Sequence, residues 1–137
     1  MMSNDFIDET ADLEATVLAY MAAFMRGDAS AALAIYADDG VLMAPVGPAF
    51  EGKEKLAEVY PAMFGATDFN LVPKVTEVRQ ISADWGFVRS ATQGTQTDKA
   101  TGKAQPASYL ELFLLQKSKA GTWKIARYST TQISTDA

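Results

Sequence analysis

The 137-residue chain contains no cysteine and no histidine. The first absence removes disulfides and thiol chemistry, and the second removes Ser-His-Asp and Cys-His catalysis. Together they take away the usual zinc ligand sets. Any catalysis has to run on Asp, Glu, Tyr, Lys or Arg, and neither a metal nor another cofactor is expected. No apolar run reaches the roughly 18 residues that a membrane span needs. The acidic start, Met1-Met2-Ser3-Asn4-Asp5, has neither the basic region nor the apolar stretch of a secretory signal. A water-soluble, cytoplasmic protein with no membrane partner is expected. Basic residues are in the minority, 12 Lys and Arg against 17 Asp and Glu, and they lie scattered along the chain. At a formal charge of -5 the chain would repel a phosphate backbone, so nucleic acid is not an expected partner.

What is present reads as one globular domain over residues 1–137, with 48% hydrophobic and 21% charged residues and enough length to bury a core. Leu13, Val17, Tyr20, Met21 and Phe24 recur at three- and four-residue spacing, which predicts a helix from about residue 8 to 26. Gly27 suits a left-handed stop. Asp28 can cap a second helix whose buried side is Ala32, Leu33, Ile35 and Tyr36, with Asp38-Asp39-Gly40 ending it in a turn. Val41-Leu42-Met43-Ala44 reads as a short strand closed by Pro45, and Val46 to Phe50 as a loop. A third helix is predicted from Lys53 to Phe64, with Leu56, Val59, Tyr60 and Met63 on its apolar side. Pro61 should kink or split it near Tyr60, and Gly65 should follow its end.

From Asp68 onward the pattern changes to four long strands, Phe69 to Ile81, Trp85 to Thr97, Gln105 to Lys117 and Trp123 to Ile133. The connections between them are short, so neighbours must run antiparallel. The predicted class is therefore α+β: three N-terminal helices packed in a cone formed by a curved, mainly antiparallel sheet of about five strands plus a short strand. Such a sheet has to bury one face against the helices, and the space between them is expected to enclose an apolar pocket.

The order and spacing of Ala19-Tyr20-Met21-Ala22-Ala23-Phe24, Gly27-Asp28, Ile35 to Val41, Pro45-Val46-Gly47-Pro48, Glu51-Gly52-Lys53 and Gly121 to Arg127 resemble the SnoaL-like and ketosteroid-isomerase-like branch of the nuclear-transport-factor-2-like superfamily, with its cystatin-like fold. The resemblance covers nearly the whole chain. It implies a pocket at the wide end of the cone and a homodimer formed through the outer face of the sheet. The superfamily holds isomerases, polyketide cyclases, dehydratases, epoxide hydrolases and non-catalytic binding or assembly domains, so the fold alone does not choose a function. Its ketosteroid isomerases use an Asp base with a Tyr and a protonated Asp at the oxyanion. Tyr20 stands at the position that matches the Tyr, but Ala44 occupies the place of the base.

Several side chains are candidates for the site, each with a plainer alternative. Tyr20 can donate into the pocket or be a core tyrosine bonded to a carbonyl. Alternation places Trp85, Phe87, Arg89 and Ala91 on one face. If that face is concave, Arg89 anchors a carboxylate, enolate or phosphate, and if convex it is a solvated or interfacial residue. Glu111 is the sole charge in Tyr109 to Leu115 and shares a face with Tyr109 and Phe113. It is a candidate acid or base, or else one half of an ion pair with Arg89 or Arg127. Arg127 shares a face with Trp123, Ile125 and Ser129 by alternation and matches an Arg of the family. Phe24 and Tyr60 complete the expected lining, with Met21, Met43 and Met63 as adaptable lining or core. Asp38 and Asp39 suit a turn better than paired acids. Three functions follow. The first is a protein binding a small, mostly apolar ligand with an anionic or carbonyl group that Arg89 and Tyr20 meet. The second is a cofactor-free isomerase, cyclase or dehydratase working by proton transfer, with Glu111 as acid or base and Tyr20 and Arg89 stabilising an oxyanion, and the third is a dimeric assembly domain.

Overall fold

The apolar stripe near the start of the chain forms α1, Thr10–Met25, and buries Leu13, Val17, Tyr20, Met21 and Ala23. A computed structural model describes residues 6–133; the acidic start at 1–5 and residues 134–137 lie outside it. Gly27 stops α1 at φ 69. Its amide donates to the Phe24 carbonyl and the Asp28 amide to the Ala23 carbonyl, the two bonds of a Schellman stop. Asp28 then caps α2, Ala29–Ala34, accepting from the Ala31 amide at 3.0 Å.

α2 is shorter than the apolar pattern predicts. Tyr36 opens strand β1, Tyr36–Met43, and Asp38-Asp39-Gly40 lies inside that strand instead of closing a helix. Between Tyr36 and Val41, five steps of β1 oppose two of its neighbour β6, Trp123–Gln132, so the acidic triplet is pushed out of the ladder as an extended bulge. Gly40 is needed there, because a Cβ would stand 2.6 Å from the Tyr36 ring. A two-residue strand, β2, Phe50–Glu51, pairs back on β1.

The third helix, α3, runs unbroken from Lys53 to Ala66, so Pro61 does not split it and Gly65 lies in its last turn. Pro61 is exposed, and so is Ala57, whose carbonyl loses its helical partner to the proline. Water can satisfy that oxygen, while Leu56, Tyr60 and Phe64, buried at four-residue spacing, hold both halves of the helix on the core.

Three long strands follow: β3, Thr67–Gln80, β4, Trp85–Asp98, and β5, Ala104–Lys117. The sheet has six strands in the order β2-β1-β6-β5-β4-β3, antiparallel throughout except where β1 runs parallel to β6. Its curved inner face packs on the helices, with Val88, Phe113, Leu115 and Ile125 fully buried against Leu13, Val17 and Leu56. Two further register shifts reverse the direction of side chains along a strand. One adds Thr76 to β3, between Val75 and Glu77, and the other adds Ala126 to β6, between Ile125 and Arg127. Among the described residues no helix is long and apolar enough to cross a membrane.

Candidate functional site

Between α1, α3 and the inner face of the sheet lies a cavity of about 110 Å³. Its walls are apolar over most of their extent, from Met21, Phe24 and Met25 of α1, Met63 of α3, and Leu42, Phe69 and Leu71 of the strands. Ala44 and Pro45 also line it. Polar atoms gather on the strand side, at Thr92, Tyr109, Glu111, Tyr128 and Thr130.

Glu111 is the carboxylate of this cavity. It is 6% exposed, and it accepts from the Ser90 hydroxyl at 2.8 Å and from the Thr92 hydroxyl at 2.6 Å. The sheet brings these groups together, since Ser90 is the register partner of Glu111 and Thr92 that of Tyr109. Burial raises the Glu111 carboxyl above the ordinary carboxylate range, and the two hydroxyl donors offset that rise in part. The ion pair weighed for it does not form, because Arg89 and Arg127 are both on the other side of the sheet. With both hydroxyls donating to it, a protonated Glu111 keeps its own O–H free for a cavity ligand.

A second polar unit sits beside it. The Tyr60 hydroxyl bonds to Tyr20 at 2.6 Å and to Tyr36 at 2.7 Å, a buried chain of three phenols contributed by α1, α3 and β1. Tyr20 therefore meets a phenol and not a backbone carbonyl, and both Tyr20 and Tyr60 line the cavity. Burial holds the Tyr20 and Tyr36 phenols well above their usual range and pushes Tyr60 up as well. All three are neutral donors at physiological pH. Tyr128 stacks on Phe113 at 4.1 Å, and burial raises its phenol too, with the Glu111 charge adding to the rise.

Of the expected lining, Tyr20, Phe24, Tyr60, Tyr109 and Glu111 do surround the cavity, as do Met21 and Met63. Trp85, Phe87, Arg89, Arg127 and Met43 do not. Trp85, Phe87 and Arg89 share a face as alternation predicts, but it is the outer one. α1 decides this: a Cβ on Gly86 would lie 2.7 Å from Leu13 Cδ1, so the helix presses on the face carrying Gly86, Val88, Ser90 and Thr92. Arg89 instead pairs with Glu77 at 2.6 Å on the outer face, its side chain 55% exposed. For Arg127 the cause is the extra residue Ala126, which breaks alternation and turns Arg127 and Ser129 outward while Tyr128 and Thr130 turn in. Arg127 donates to the Asp39 and Ala126 carbonyls. Met43, Phe87, Arg89 and Arg127 line a shallow groove on the outer face, together with Leu112 and Leu114.

Sequence reasoning missed Thr92, Tyr128 and Thr130. Thr92 carried a signal, as it alternates with Arg89 and had to face inward once Arg89 faced out. The other two carried none, because the bulge at Ala126 is not a local property of those residues. No cation lines the cavity. Among the described residues, no three Asp or Glu side chains come close enough to hold a metal ion.

A family model described as the SnoaL-like domain matches residues 17–123. The chain is 54% identical to a ketosteroid isomerase-like protein of Erwinia carotovora atroseptica, over 94% of this chain and 99% of that one, with a TM-score of 0.91. A conserved protein from Planctomyces limnophilus has a TM-score of 0.77 at 16% identity, covering 90% of this chain and 96% of that one. A domain of unknown function with a cystatin-like fold from Nostoc punctiforme has a TM-score of 0.74 at 19% identity, covering 93% and 81%. At such identities these last two bear on the fold alone. None of the proteins with curated functions matches the chain.

Proposed function

The chain belongs to the SnoaL-like domain family, and from that premise we propose that it binds, in the cytoplasm, a small and mostly apolar molecule carrying one carbonyl group. The observation that supports this is the polar cluster on the strand side of the cavity, in which Glu111 is buried without a cation and burial raises its carboxyl above the ordinary carboxylate range. An anionic ligand loses its support, since Arg89 and Arg127 lie outside the cavity and an anion there would be desolvated with no cation to pair it. A volume of about 110 Å³ is of the order of the ~150 Å³ apolar cavities that accept a benzene ring. One ring fits that space, and a four-ring steroid would have to extend beyond it.

The test is calorimetric titration at pH 7.5 with 2-cyclohexenone and with cyclohexenecarboxylate, joined to native mass spectrometry for a co-purified ligand. The enone should bind at least tenfold more tightly. Equal or tighter binding of the carboxylate would overturn the reading.

A second reading, proton transfer of the isomerase, cyclase or dehydratase type, is favoured by Glu111 lining the cavity with a raised pKa and no salt bridge. Glu111 would move the proton and Tyr20 would stabilise the oxyanion. Ala44 leaves the matching base position empty of any proton acceptor, and a positioned base is worth roughly 10²–10⁴ in rate. Deuterium exchange at the ketone's α-carbon separates the two readings. Glu111→Gln abolishes exchange under the second and preserves enone binding under the first.

We also propose that two copies associate through the outer face of the sheet, where Leu110 and Leu112 are 49% and 46% exposed.

A further inference from the structure

The basic residues that lie scattered in the sequence do not stay scattered in the fold. Four of the 12, Lys53, Lys117, Lys119 and Lys124, converge on one groove of about 420 Å³, although they come from α3, the end of β5, the β5–β6 turn and the start of β6. Gln116 and Ser118 share the lining, which has no residue in common with the cavity that holds Glu111.

The charges are only partly offset. Lys117 is bonded to Glu9 at 2.6 Å, and Asp38 is the one carboxylate on the lining. Lys124 donates to the Ala34 carbonyl at 2.7 Å, which uses one of its three protons and leaves its charge unpaired. Among the described residues, neither Lys53 nor Lys119 lies within salt-bridge distance of a carboxylate. Counting Asp38 and Glu9 against the four lysines leaves a positive groove on a chain whose net charge is -5. A groove of this charge favours an anion, and lysine binds phosphate as a point charge. Ser118 Oγ accepts from the Thr122 amide, so its O–H remains free to donate.

We infer that this groove is a second ligand site and takes a small phosphate-bearing molecule, in which a dianionic phosphate is held by Lys53, Lys119 and Lys124 with hydrogen bonds from Ser118 and Gln116. A nucleic-acid backbone is not the occupant, because the acidic remainder of the surface would repel the phosphates lying beyond the groove.

Inorganic pyrophosphate is the probe, titrated at low salt while backbone amide resonances are followed by NMR. Saturable shifts are expected at residues 117–119 and 124, with none at Thr92 or Glu111. The double variant Lys53→Gln/Lys119→Gln should bind about tenfold more weakly. Lys74→Gln/Lys103→Gln, which removes the same charge from exposed positions elsewhere, should bind as the wild type does. Equal weakening in both double variants would reduce the effect to net charge and overturn the site. So would shifts that fail to saturate or that map elsewhere.

Discussion

At Glu111 the neighbouring residues and the fold both act on one carboxyl group. Tyr109 to Leu115 offers no other charge along the strand, and the hydroxyls that satisfy the side chain come from Ser90 and Thr92 on the adjacent strand. Burial makes the folded carboxyl a weaker acid than the unfolded one. The folded state thus holds the proton more tightly. The associated stability is present below the unfolded value and is lost as pH rises through the folded value. Glu111→Gln removes that titration. Urea midpoints measured from pH 4 to 8 should show the variant gaining on the wild type as pH rises, and a constant gap would contradict the raised pKa. The tyrosine chain supports a second prediction. Tyr60→Phe strips the middle hydroxyl from two buried neighbours and should cost about 3 kcal/mol, whereas Tyr36→Phe removes one end and should cost about 1 kcal/mol. Denaturant unfolding of both variants measures the difference, and equal costs would mean that Tyr60 is not the shared partner.

Among the elements, the helices and long strands were legible because three- and four-residue spacing, alternation, Gly27 and Asp28 are local signals. Two glycines separate what was legible from what was not. Gly65 reads as a residue beyond the end of a helix but sits exposed inside α3, where a Cβ would meet nothing within 4 Å. Gly65→Ala should therefore stabilise the protein by up to about 1 kcal/mol, through helix propensity and a less flexible unfolded chain. Gly94 lies in β4, and a Cβ there would stand 2.1 Å from the Asn70 carbonyl oxygen of β3. Gly94→Ala should cost at least ~3 kcal/mol, because the contact is backbone and cannot swing aside. Thermal unfolding of the two variants should move in opposite directions. A shared direction would place one glycine wrongly.

For the whole molecule, the outer face of the sheet is where the arginines expected in the pocket reside. Phe87, Leu112 and Leu114 form an apolar strip there, flanked by Arg89 and Arg127. If two copies meet on this strip, Leu112→Glu puts an unpaired charge into the contact. Light scattering should then show the dimer giving way to monomer, with the helical circular dichroism unchanged. A wild-type chain that is already monomeric at micromolar concentration would end that proposal. The lysine groove and this outer-face strip share no lining residue. Leu112→Glu should accordingly leave pyrophosphate binding intact.

The sequence by itself determined the class of fold, the order of nearly all its elements and the apolar character of the enclosed space. Each of these follows from residue type and from periodicity over a few turns or strand steps. The resemblance in the same sequence also singled out Tyr20 and Ala44, both of which line the cavity. Only the tertiary structure decided which face of the sheet is the inside. That choice depended on α1 pressing against Gly86 and on single inserted residues at Thr76 and Ala126. One extra residue in a strand reverses every side chain beyond it. Curvature and helix docking set where such residues fall, and both are long-range properties that no short window of sequence contains. The same long-range packing joined Ser90 and Thr92 to Glu111, tied three distant tyrosines into one chain, and gathered four separated lysines into a groove.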